Sequence, residues 1–167
     1  PTPTPTPTPA GGCTVSFPAG TYTDAKYNFT VQYPKEWTKM TIPASDVVFA
    51  AFQASTQAPV VLIGAVKKAA GKEAAVDMLL QFVQIMTGSA DPKSVTGSSD
   101  MDGKLCGGAA CKDAEAQATI SGFPVKSFAT TYVKGDLTFV VLTATVDIMS
   151  PYNKAQYTEI GHSLDFK

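Results

Sequence analysis

Arginine is absent from this sequence: all thirteen basic residues are lysine, set against fourteen acidic ones. Bidentate recognition of phosphate or carboxylate leans on the planar arginine fork. Binding to a nucleic-acid backbone also needs a basic patch, whereas these lysines are scattered and the net charge is -1. Nucleic acid is therefore excluded as an expected partner. Histidine occurs once, at His162, and cysteine three times. A zinc centre asks for four ligands, which one histidine does little to supply. No apolar run approaches the roughly 20 residues of a membrane helix. No Gly-x-Ser-x-Gly elbow provides a serine nucleophile, and no cofactor-binding motif is present.

The 167 residues include one segment of low complexity. Pro1 to Pro9 alternate proline and threonine, and Gly11-Gly12 follows. Proline fixes φ and lacks an N–H, which denies the segment helix or sheet interior. Residues 1–12 are expected to be a disordered or polyproline II stalk, extending by about 3.1 Å per residue, or about 28 Å over the repeat. Its threonines are candidate O-glycan acceptors. A chain that opens inside such a repeat reads as a trimmed or mature form, leaving room for a lipid anchor upstream of Pro1.

Residues 13–167 form a single domain of ordinary size. Charged residues make up only 16% of the chain, which suits a secreted surface. Alternating apolar positions predict a half-buried strand over Asn28–Tyr33, with others over Trp37–Ile42 and Val47–Phe52 and a short edge strand over Thr14–Phe17. Val60–Val66 is apolar almost throughout and reads as a central strand covered on both faces. Ala75, Met78, Leu79, Phe82, Val83 and Met86 recur at helical spacing, so Glu73–Met86 reads as a helix stopped by Thr87-Gly88. Asp91–Cys111 reads as a long loop with at most a short strand near Ser94–Thr96. Strands resume over Ala114–Ile120, Val125–Val133 and Leu137–Val146, the last two joined by a tight turn at Lys134-Gly135-Asp136. Ser150-Pro151 marks the start of a second helix, Tyr152–His162, with Tyr152, Ala155, Tyr157 and Ile160 inward or half-inward. Leu164 and Phe166 suggest a closing strand.

The string Tyr27-Asn28-Phe29-Thr30-Val31-Gln32-Tyr33-Pro34-Lys35-Glu36-Trp37 resembles the opening of PsbP-like domains, a superfamily that also includes Mog1 and bacterial exported lipoproteins. Gly122-Phe123-Pro124 before paired long strands and the ending His162-Ser163-Leu164-Asp165-Phe166 agree with it. The resemblance implies an α+β fold, an α/β/α sandwich around a twisted, mainly antiparallel sheet. Members of the superfamily are accessory and binding proteins, and no catalytic motif transfers.

Cys106 and Cys111 flank Gly107-Gly108, where the chain can reverse sharply, and are expected to form a disulfide in an oxidising compartment. Cys13 is then left free, paired with another chain, or competing for Cys106 or Cys111. Ser98, Asp100, Asp102 and Lys104 mark a candidate binding loop, since loops of this length are usually functional or disordered. Asp100 and Asp102 mimic half of a calcium loop, but its first and twelfth positions are Ser98 and Ala109, so a solvated polar loop is the stronger reading. His162 near a helix end is best suited to capping, and Trp37 to a core anchor. The expected function is a non-enzymatic, extracytoplasmic binding or assembly module, tethered to the envelope by its stalk. Its partner would be a protein or small molecule, and no cofactor is expected. Two alternatives remain: a calcium or manganese module built on Asp100 and Asp102, and a thiol enzyme built on Cys106 and Cys111.

Overall fold

The computed structural model describes residues 13–43, 45–88, 91 and 94–167; the expected stalk lies outside the described residues. A first hairpin joins β1 (Ala19–Asp24) to β2 (Phe29–Pro34), and β2 also carries β11 (Asp165–Phe166). The larger sheet runs in the order β3 (Thr38–Lys39), β4 (Val48–Gln53), β5 (Val60–Val66), β10 (Leu137–Val146), β9 (Phe123–Lys134), β8 (Ala110–Ile120) and β6 (Thr96–Gly97). The short strand β7 (Met101–Lys104) also pairs with β8. Every strand pairing among the described residues is antiparallel.

Two cores lie on the two faces of the large sheet, and the alternation of side chains along each strand divides them. On one face Val60, Leu62, Val140 and Leu142 meet helix α1 (Lys72–Thr87) through Ala75, Met78, Leu79 and Phe82. On the other, Val61, Ile63, Phe139 and Val141 meet Phe29 and Val31 of β2 and Ile160 of helix α2 (Lys154–His162). The layers are therefore α1, the large sheet, and a third layer in which α2 lies beside the small sheet. This is the expected α+β sandwich. β5 and β10 are buried on both faces, as their continuous apolar runs predict.

Several elements depart from the pattern reading for identifiable reasons. Thr14–Phe17 is not a strand; the extended segment begins at Ala19. β2 is nearly fully buried instead of half-buried, because the face carrying Thr30 and Gln32 is covered as well. The Asp91–Cys111 segment holds β6 and β7, whose partner β8 supplies the pairing that composition does not reveal. Phe123 and Pro124 belong to β9, and the turn is made by Ser121 and Gly122, both at positive φ. α2 starts three residues later than Ser150-Pro151 suggests for its cap, because Asn153 takes the role by accepting from the Gln156 N–H at 3.1 Å. Ala155 is consequently exposed, and Met86, on the last turn of α1, is half exposed.

α2 approaches the sheet closely through Gly161. A Cβ there would stand 2.0 Å from the Thr130 hydroxyl oxygen on β9. Alanine normally favours a helix interior over glycine by about 1 kcal/mol. Here the overlap with Thr130 outweighs that gain, so Gly161→Ala is expected to lose about 1–3 kcal/mol net in chemical denaturation. Unchanged or increased stability would mean that α2 can lift from β9 without penalty.

Candidate functional site

The edge formed by β7 and β8, together with the end of α2, gathers the chemistry-bearing side chains. Cys111, Asp113 and Glu115 are spaced by two along β8 and share the face that meets α2, while Ala114, Ala116 and Ala118 face α1. Glu115 accepts from the hydroxyl of Tyr152, just before α2, at 2.7 Å and pairs with Lys154, the first residue of α2, at 3.4 Å. Asp113 meets the other end of that helix: its Oδ2 lies 2.7 Å from His162 Nε2. Cys111 Sγ lies 3.9 Å from Asp113 Oδ1. Asp113 is 5% exposed and Cys111 6%, so the cluster is largely shielded from water.

Gly103 of β7 sits opposite Cys111 in the ladder and passes directly over this cluster. A Cβ on Gly103 would stand 2.5 Å from Asp113 Oδ2, 3.0 Å from His162 Nε2 and 3.1 Å from Cys111 Sγ. Only a residue without a side chain can pass this close to the cluster. The sulfur, carboxylate oxygen and imidazole nitrogen all lie within 4.8 Å of one another. Cys111 also lines a groove of about 420 Å³ with Ala70, Thr131 and Tyr132, and His162 lines a smaller hollow of about 170 Å³ with Cys13, Cys106 and Glu159.

The structure corrects the expected disulfide. Cys106 is bonded to Cys13, with Cα atoms 5.6 Å apart, and Cys111 is a free, buried thiol. The reason is the hairpin itself. Gly107-Gly108 does reverse the chain, but Lys104 pairs with Ala110 and Gly103 with Cys111, leaving Cys106 beyond the last pair. Cys111 turns into the core, whereas Cys106 meets Cys13 beside the Ser163 carbonyl. His162, expected to cap its helix, instead directs its ring to Asp113. Trp37 is a buried core residue, as expected.

The four residues of the expected binding loop do not converge. Ser98 Oγ accepts from the Glu115 N–H at 2.9 Å and secures the strand edge. Asp100 Oδ1 accepts from the Lys72 N–H at 2.6 Å, giving α1 an N-terminal cap from outside the helix. Asp102 pairs with Lys112, whose ammonium holds its carboxyl below the usual carboxylate range. Lys104 is exposed on β7. Asp100 thus caps α1 while Asp102 holds Lys112, whose ammonium also feels the charge of Asp100. The Cys111–Asp113–His162 cluster escapes a reading by sequence distance because a strand and a helix end 49 residues apart supply it.

This arrangement does not activate the thiol. Burial, and then the charge of Asp113, push Cys111 from the ordinary 9.0 up to about 12. A nucleophilic cysteine needs a lowered pKa, whereas this one holds its proton. Between about pH 9 and about pH 12 the unfolded thiol ionises while the folded one does not. The contribution to stability is full below that window and falls as pH rises through it. Denaturation of the wild type and of Cys111→Ser at about pH 8 and about pH 10 is expected to show a smaller loss in the variant. An equal loss in both would show that the native thiol ionises normally.

Among solved structures, the chain is similar to the solution structure of cyanobacterial PsbP (CyanoP) from Synechocystis sp. PCC 6803. Identity is 11% and the TM-score 0.61, over 95% of this chain and 99% of that one. A crystal structure from Bacteroides thetaiotaomicron VPI-5482 matches at 14% identity with a TM-score of 0.55, over 88% of this chain and 48% of that one. No protein-family model matches the sequence, and no curated protein matches it. At these identities the likeness is one of fold, and the fold of this chain is that of a PsbP-like domain.

Proposed function

We propose that this protein is a non-enzymatic binding or assembly module that works outside the cytoplasm, held off the envelope by the threonine-proline segment of residues 1–12. The observation that carries the reading is the Cys13–Cys106 bridge, which closes a separation of 93 residues. Such bonds persist in oxidising compartments and are rare in reducing ones. A loop of this size gives a disulfide a typical stabilising effect of about 2–5 kcal/mol. None of the helices among the described residues is long and apolar enough to cross a membrane, in keeping with tethering from outside the folded domain.

The non-enzymatic part of the reading draws on the state of the thiols. Cys106 is held in the bridge and Cys111 is pushed upward, so neither supplies the thiolate that a thiol enzyme based on this pair requires. For the partner surface we favour the exposed edge around Ser98–Lys104, where Asp102 and Lys104 point to solvent. Edge strands present unpaired backbone groups that another chain can meet.

Membrane-impermeant thiol and amine reagents applied to intact producing cells test the compartment. The lysines are expected to label, and non-reducing peptide mapping is expected to recover Cys13 joined to Cys106. Protein that is protected in intact cells and carries both thiols reduced would overturn the reading. Cys106→Ser is expected to fold with stability lowered by about 2–5 kcal/mol.

A further inference from the structure

We propose that Cys111, Asp113 and His162 form a binding site for a divalent transition-metal cation of the zinc class, with Sγ, a carboxylate oxygen and Nε2 as donors and a fourth position open to water. The site goes beyond the extracytoplasmic reading and stands or falls separately from it. Zinc is bound by thiolate, imidazole and carboxylate, and sites with three protein ligands keep a position for water or substrate. The single histidine suffices here because sulfur and oxygen complete the set.

Geometry is the first argument. The three donor atoms lie within 4.8 Å of one another on two elements that are otherwise rigidly packed, β8 and the end of α2. All three also converge on the backbone of Gly103, which passes so close that a Cβ there would stand 2.5–3.1 Å from each of them. At bond lengths of about 2.0–2.3 Å around a tetrahedral ion, the 2.7 Å contact between Asp113 and His162 must open and the Cys111 sulfur must close on the pair. Cys111 and His162 each line a surface hollow, which gives an ion a route from solvent.

Charge is the second argument. Buried charges are paired or coordinate metals, and Asp113 with the Cys111 thiol donating to its Oδ1 at 3.9 Å offers a cation one carboxylate and one ionisable sulfur. Binding a divalent ion releases the thiol proton to solvent, displaces the proton shared between Nε2 and Oδ2 to Nδ1 or to solvent, and leaves thiolate, carboxylate, neutral imidazole and the ion with a summed charge of zero. An Asp113–His162 pair at 2.7 Å with the Cys111 thiol donating to Asp113 is the arrangement without an ion, and titration with a metal separates the two. The second sulfur-bearing group, Cys13, Cys106 and Asp165, is not an equivalent site because its sulfurs are bonded to each other.

The bridge also makes the test specific. With Cys13–Cys106 intact, Cys111 is the remaining cysteine able to give a thiolate–metal bond. Metal-stripped, disulfide-intact protein is titrated with Co²⁺ and followed by absorption, then competed with Zn²⁺. A thiolate-to-cobalt charge-transfer band that saturates at one equivalent, with proton release, and is bleached by Zn²⁺ is the expected result. No such band in the wild type would overturn the proposal without recourse to any variant. Asp113→Asn and His162→Ala are expected to weaken Zn²⁺ at least about tenfold, and Cys111→Ser to abolish the band. Gly103→Ala keeps all three donors but presses a methyl within 2.5–3.1 Å of them, and is expected to weaken Zn²⁺ at least about tenfold. If it is folded by circular dichroism and binds Zn²⁺ as tightly as the wild type, the ion lies elsewhere and the site is wrong.

Discussion

The last turn of α2, Ile160 to Ser163, is the contact on which the remaining features of this edge depend. Gly161 lets the helix lie against Thr130 of β9, and Ile160 fills the core beneath it. The Ser163 hydroxyl accepts from the Gln32 N–H of β2 at 2.8 Å, tying the small sheet to the helix. The His162 carbonyl accepts from the Cys106 N–H at 2.7 Å and fixes the turn between β7 and β8. Both sulfurs of the disulfide lie against the Ser163 carbonyl. His162 itself reaches Asp113. One helical turn thus brings together the start of the described chain, its long β8–β9 hairpin and the residues before its C-terminal strand.

Continuity of this kind explains why the disulfide and the Cys111–Asp113–His162 cluster lie side by side without sharing a sulfur. β7 and β8 are paired up to Lys104 and Ala110, and the cysteines fall on either side of that limit. The bridge lies toward the N-terminal segment, where Ser16 holds Glu159 of α2. The free thiol points to the core face of the sheet. A PsbP-like fold supplies the frame, a two-faced antiparallel sheet with one helix on each side. The local chemistry comes from side chains that the frame happens to align.

The architecture was legible wherever a single strand or helix announced itself by its own pattern. Val60–Val66 and Leu137–Val146 read as central strands because both faces are apolar, and Glu73–Met86 reads as a helix because its apolar residues return every three or four. Phe29, Val31 and Trp37 of the opening motif are all core residues. What was not legible depends on partners distant in the chain. β6 and β7 are short and polar, and they exist as strands because β8 offers a ladder. The pairing of Cys13 with Cys106 is decided by where α2 ends, not by the glycines near Cys111. His162 and Asp113 meet across 49 residues, and neither residue's immediate neighbours signal the other.

Hydrogen exchange measured by mass spectrometry, on oxidised and reduced protein, tests the central role of the α2 turn most directly. Opening of the bridge removes one restraint on that turn but leaves the packing of β5 and β10 intact. Exchange is predicted to rise on reduction at residues 13–16, at the β7–β8 turn including Cys106, and at residues 160–163, with β5 and β10 still protected. Faster exchange across the whole sheet, or no change at residues 160–163, would contradict the account.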